Sequence, residues 1–167
     1  GFLFGLAVLA AAPVSAQTEL GVDLGFFYDT GDPSVMVISI PTAELRAGFY
    51  TSDRIEIEPR ISLQYVKFEN SDAATSFDGV LGLLYHLSTD RSAARWYLRP
   101  FAGINRISSG GNGETQFQLG GGVGVKIPAG ERLAWRVEGN FNHAFESDNL
   151  GSSDVVGLLF GISYYTR

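Results

Sequence analysis

From Thr115 to Ile127 the chain alternates strictly in polarity. Phe117, Leu119, Val123, Val125 and Ile127 share one parity, and Gln116, Gln118, Gly120, Gly122, Gly124 and Lys126 share the other. A period of two defines a β-strand with two unlike faces. Here the second face is mostly glycine, which suits a crowded wall better than a water-exposed one. An apolar face opposite a cramped one describes a barrel with its apolar side turned to lipid.

The same alternation runs along most of the chain. It predicts eight strands, at Glu19–Tyr28, Val35–Tyr50, Arg54–Phe68, Phe77–Leu87, Trp96–Ile107, Thr115–Ile127, Arg132–Glu146 and Asp154–Thr166. Ile55, Ile57, Ile61, Leu63 and Tyr65 alternate with Glu56, Glu58, Arg60, Ser62 and Gln64, and Leu133, Trp135, Val137, Phe141 and Phe145 with Arg136, Glu138, Asn140 and Asn142. The phase slips between Ile40 and Ala43, which predicts a β-bulge near Pro41. Short turns are expected at Thr51–Asp53, Ser88–Arg95 and Pro128–Glu131. Longer polar loops are expected at Asp29–Ser34, Glu69–Ser76, Ser108–Glu114 and Ser147–Ser153. No apolar run reaches the roughly 18 residues of a membrane-spanning helix. An antiparallel up-and-down meander of eight strands closes without leaving an edge.

Alternation alone does not say which face is inside. Three features put the polar face inward. Glycines collect on it, Gly21, Gly48, Gly82, Gly122, Gly124 and Gly161 among them. Basic residues are ten Arg and two Lys, and the planar, multi-donor guanidinium favours buried ion pairs over a solvated surface. Aromatics gather toward strand ends, as in interfacial girdles: Phe26, Tyr28, Phe49, Tyr65, Phe77, Tyr85, Trp96, Trp135, Phe141, Phe145 and Tyr164. The interior then holds Glu19, Asp23, Glu44, Arg46, Glu56, Glu58, Arg60, Arg99, Lys126, Arg136 and Glu138. Unpaired burial of any of these is costly, so they are expected to pair as a plug. A soluble, lipocalin-like ligand-binding barrel, with the faces reversed, and a narrow pore lined by the same charges are the alternatives.

Phe2–Ala12 is an apolar run of signal-peptide length, followed by Pro13 and the small residues of Val14-Ser15-Ala16. Residues 1–16 read as a signal peptide truncated at its start and cleaved before Gln17, with Gln17–Arg167 as the exported barrel domain. The chain has no cysteine and a net charge of −6. Disulfide frameworks and thiolate chemistry are excluded, and a nucleic-acid partner is not expected. No cofactor is expected.

The stretches Ile40–Tyr50, Asp53–Pro59, Leu98–Gly103 and Gly120–Gly124, with the aromatic-rich last strand, resemble small outer-membrane β-barrels of Gram-negative bacteria. The resemblance is to the OmpA/OmpX-like eight-stranded type and covers the whole of Gln17–Arg167. It implies an outer-membrane location, with membrane lipid and lipopolysaccharide as surroundings. It also implies the barrel assembly machinery as a partner in biogenesis, a monomer, and loops free to meet an extracellular ligand. Such barrels often end on an aromatic. This chain ends Tyr164-Tyr165-Thr166-Arg167, so the assembly signal is expected upstream, at Phe160 and Ile162. The family shares a fold more than a chemistry, and a structural or interactional role, not an enzyme, is expected.

Four residues stand apart. His143 falls on the apolar face of the seventh strand. Some lipid A-modifying barrels resemble this chain in size and use an outer-wall His with a nearby Ser to cut an acyl chain. Phe145 occupies the place of that Ser here, with Glu146 and Ser147 following. An interfacial His is the other reading. His86 faces inward and is expected to complete the interior hydrogen bonding; two separated histidines make no metal site. Lys67 and Arg106 lie on the lipid face near outer strand ends, placed to reach lipopolysaccharide phosphates.

Overall fold

A computed structural model describes residues 17–29, 35–66, 74–109, 112–147 and 150–166. They form eight antiparallel strands closed into one barrel in chain order. The strands are β1 (Thr18–Asp29), β2 (Val35–Tyr50), β3 (Ile55–Val66), β4 (Ala74–His86), β5 (Arg95–Ser109), β6 (Asn112–Pro128), β7 (Leu133–Ala144) and β8 (Ser153–Tyr165). Closure runs through β1 and β8, paired from Glu19↔Tyr165 to Asp29↔Val155. The first and last strands therefore leave no open edge to recruit another chain. The signal-peptide and cleavage expectations, and Lys67, lie outside the described residues.

The alternation translates directly into two walls. Phe117, Leu119, Val123 and Ile127 are exposed on the outer wall, while Gln116, Gln118 and Lys126 on the same strand are buried. Leu63 is 69% exposed and Trp135 57%. Tyr85, Trp96, Trp135 and Tyr164 ring the outer wall toward the end that carries the 51–54, 87–94 and 129–132 turns. We call this the turn end and the opposite one the loop end. Phe26, Tyr28, Phe77, Phe117 and Phe141 lie toward the loop end. Inside, buried charged and polar residues outnumber buried apolar ones among the described residues. In water this inside-out order would be unstable; in lipid it is required.

Interior glycines do give way to neighbouring side chains. A Cβ on Gly124 would fall on the Tyr97 hydroxyl, one on Gly161 on the Asp23 carboxylate, and one on Gly21 on the Arg46 guanidinium. The β1–β2 register shifts between Asp23 and Gly25, from Glu44 as partner to Ser39. The irregularity therefore sits where Pro41 was expected to place a bulge. Two ladder gaps have the same origin: the β2–β3 pairing skips from Arg46↔Arg60 to Phe49↔Ile57 around Pro59. The β4–β5 pairing skips from Gly82↔Phe101 to Tyr85↔Leu98 around Pro100. Proline has no N–H to give to a ladder.

Three expectations change. Ser108–Glu114 is not a long loop: β5 continues to Ser109 and β6 starts at Asn112, so only residues 110–111 separate them. This polar stretch carries no alternation to announce a strand, yet its backbone groups still pair across the hairpin. Arg95, expected in a turn, begins β5 and is buried. The contrast in connection length is also weaker than expected, because the 87–94 turn is as long as the 145–152 loop.

Candidate functional site in the barrel lumen

At the turn end and in the middle of the lumen, the buried charged side chains form a connected set of ion pairs and hydrogen bonds. At the turn end, Lys126 Nζ lies 2.5 Å from Glu19 Oε2 and 2.8 Å from Glu56 Oε2. His86 Nε2 hydrogen-bonds the same Glu56 oxygen at 2.8 Å and its ring stacks on Tyr50. The Tyr50 hydroxyl donates to Glu19 at 3.0 Å and accepts from Arg95 Nη2 at 2.5 Å. Arg46 links this group to the next. It donates to Glu19 at 2.5 Å, to Asp23 at 2.8 Å and to the Ser163 hydroxyl at 2.7 Å.

Glu58 and Glu138 anchor the middle. Glu58 accepts from Arg60 at 2.8 Å and is paired with Arg136. Glu138 is wholly buried and accepts from Arg99 at 2.6 Å, Arg136 at 2.5 Å and Arg60 at 3.0 Å. The Tyr97 hydroxyl adds a fourth bond at 2.6 Å while accepting from Arg136 Nε at 2.6 Å. Arg60 also reaches Glu44 at 3.2 Å. Toward the loop end the charges give way to amides: Asn142 donates to Gln118, which donates to Asp78 at 2.6 Å. A polar cavity of about 200 Å³ lies here, lined by Glu44, Arg60, Asp78, Arg99, Asn105 and Asn142 among others.

The eleven charged residues expected inside from the alternation are thus all brought into the lumen, together with His86. Glu19, Glu56 and Glu58 bring carboxylate oxygens within 4.8 Å of one another, a concentration of charge answered by Lys126, Arg46, Arg136 and His86. A buried carboxylate keeps its charge only with such partners. Tyr97, Arg95, Tyr50 and Asp78 are the members that sequence reasoning left out. Arg95 and Tyr97 have the parity of Arg99, so carrying the alternation one residue back from Trp96 brings Arg95 into the set.

Outside the lumen the other candidates stand singly. His143 is on the outer wall, its Nδ1 2.7 Å from Asp154 Oδ1 and its ring edge-on to Phe145 at 4.7 Å. Its hydrogen bond goes to a carboxylate, and the Ser147 hydroxyl is buried without a partner. Arg106 is exposed on the outer wall, loop-ward of Ile104, within 3.5 Å of the Thr115 hydroxyl.

A closed eight-stranded barrel with a lipid-compatible outer wall and a charge-filled lumen is an integral membrane β-barrel of the outer-membrane type. Solved structures agree. Neisserial surface protein A is 16% identical, with a TM-score of 0.72 over 88% of this chain and 96% of its own. OprG, an outer membrane protein of Pseudomonas aeruginosa, is 10% identical, with a TM-score of 0.57 over 91% and 97%. Ail, the attachment invasion locus protein of Yersinia pestis, is 12% identical, with a TM-score of 0.55 over 90% and 99%. No family model and no curated protein matches the sequence. The chain therefore has the fold of the small OmpA/OmpX-like outer-membrane barrels.

Proposed function

We propose that this chain is a plugged, non-enzymatic barrel of the bacterial outer membrane, serving as a structural and interaction protein. Its loop end faces outward and its turn end faces the periplasm. The observation that carries this reading is the Glu138 cluster. One buried carboxylate gathers three guanidinium groups and a tyrosine hydroxyl across the middle of the lumen. An eight-stranded barrel has an interior that side chains just fill, and these side chains cross its middle. Neisserial surface protein A and Ail, whose names speak of surface exposure and attachment, support an interactional role at the loop end. In this reading Arg106, exposed on the outer wall, meets lipopolysaccharide phosphates at the edge of the apolar wall, with Lys67 as its suggested companion. The protein acts as a monomer, delivered by the barrel assembly machinery.

Planar-bilayer recording with the purified full chain tests the plug. No discrete conductance steps are expected, and reproducible openings would reject a plugged lumen in favour of a small pore. A second reading, a lipid A hydrolase built on His143, has the His143–Asp154 pair in its favour. Mass spectra of lipid A from cells expressing the chain or its His143→Ala variant decide it. A deacylated species that appears with the chain and is lost in the variant would establish the enzyme.

A further inference from the structure

The turn end of the lumen contains a cationic pocket that the ion-pair network leaves unbalanced. It has a volume of about 80 Å³, and its lining includes Arg91, Arg95, Lys126, Glu131 and Tyr165. Arg95 is 2% exposed. Its Nη2 is satisfied by the Tyr50 hydroxyl, but its Nη1 is buried with no hydrogen-bond partner. Arg46, Arg60, Arg99, Lys126 and Arg136 each pair with at least one carboxylate. Arg95 has no ion pair among the described residues. A buried charged donor without an acceptor is among the least tolerated features of a protein interior.

Arg91, on the exposed 87–94 turn, adds a second cation without an ion pair among the described residues. Its guanidinium carbon lies 4.5 Å from the centre of the Tyr50 ring, and that of Arg95 lies 5.2 Å from the same centre. Two guanidinium groups thus share one ring at the mouth of the barrel. The 87–94 turn that carries Arg91 is held by Asp90, which accepts from the Ser92 backbone at 2.8 Å and its hydroxyl at 2.6 Å. Lys126 lines the pocket too, but Glu19 and Glu56 neutralise it. Glu56 Oε1 is turned onto Gly48. Glu131 is the one acid lining the pocket, and it is exposed on the 129–132 turn. We propose that this pocket binds a small oxyanion, a carboxylate or a phosphate group, on Arg95 with Arg91 closing over it. The guanidinium fork matches the paired oxygens of either group. The volume suits a group of that size, against about 30 Å³ for each water it would replace.

The test is an NMR titration of the isotope-labelled full chain, refolded in detergent micelles. Sodium acetate and inorganic phosphate are added separately, with sodium chloride at matched ionic strength as control. Saturable shifts at Tyr50, Arg95 and the 87–94 turn are expected with an oxyanion and not with chloride. Saturation by acetate alone identifies a carboxylate site, by phosphate alone a phosphate site, and by both a general oxyanion site. Arg95→Gln is expected to abolish saturation. Arg91→Gln, on an exposed turn where folding is not at stake, is expected to weaken affinity about threefold. Responses that stay linear and match chloride would overturn the proposal. So would saturation that persists unchanged in Arg91→Gln and in a folded Arg95→Gln barrel.

Discussion

Glu138 shows how much one side chain can hold when it is buried among opposite charges. Arg60, Arg99, Arg136 and Tyr97 all converge on its two oxygens. Truncating it strands Arg99, which has no other ion pair among the described residues, and takes one of several carboxylates from Arg60 and Arg136; removing one partner of a buried pair typically costs about 3–5 kcal/mol. Glu138→Ala is expected to destabilise the barrel by at least that order in reversible urea unfolding from lipid vesicles. Gly124 illustrates the opposite constraint, space in place of charge. A side chain there meets Tyr97, so Gly124→Val is expected to cost about 1–3 kcal/mol through overpacking. Gly139 has nothing within 4 Å of an added Cβ, and Gly139→Ala is expected to unfold at the wild-type urea concentration.

At the scale of the strands, the prolines interrupt the hydrogen-bond ladders. Pro59 keeps its pairing with Leu81 on β4 while the ladder toward β2 is interrupted, so the missing N–H faces β2. The outer wall is dished beside it, in an apolar hollow of about 610 Å³ lined by Leu45, Ala47, Pro59 and Ile162 among others. Amide exchange is expected to be faster along the β2–β3 seam than along β7–β8, whose pairs run unbroken from Leu133↔Tyr164 to Ala144↔Ser153. Equal protection in the two seams, measured by hydrogen–deuterium exchange, would contradict this. Strand identity was legible from alternation wherever apolar residues marked one face. It was not legible at Ser108–Gly113, where small polar residues leave both faces alike and pairing alone extends the hairpin. Arg95 was misplaced for a related reason: a charged residue at a strand end looks like a turn residue until a lumen is there to receive it.

Taken whole, the molecule is a membrane barrel because its apolar residues face out, and a charge on that wall should report depth. Leu158→Arg, near the middle of β8, is expected to cost about 2–4 kcal/mol on folding into bilayers, whereas an outer-wall arginine near the interface costs about 0–1 kcal/mol. Strand number, the composition of each face and the inward placement of the charges could all be read along the chain, because a period of two is a local property of extended backbone. Even sidedness followed, since only a cramped wall selects glycine opposite leucine. Which charge meets which could not be read that way. Lys126 and Glu19 are 107 residues apart, and Arg60 and Glu138 are 78 apart. Their meeting depends on the stagger with which eight strands close, and on side chains from opposite walls sharing one narrow lumen. That closure also leaves Arg95 without an ion pair among the described residues, whereas Arg46, Arg60, Arg99, Lys126 and Arg136, the other buried cations there, each meet a carboxylate.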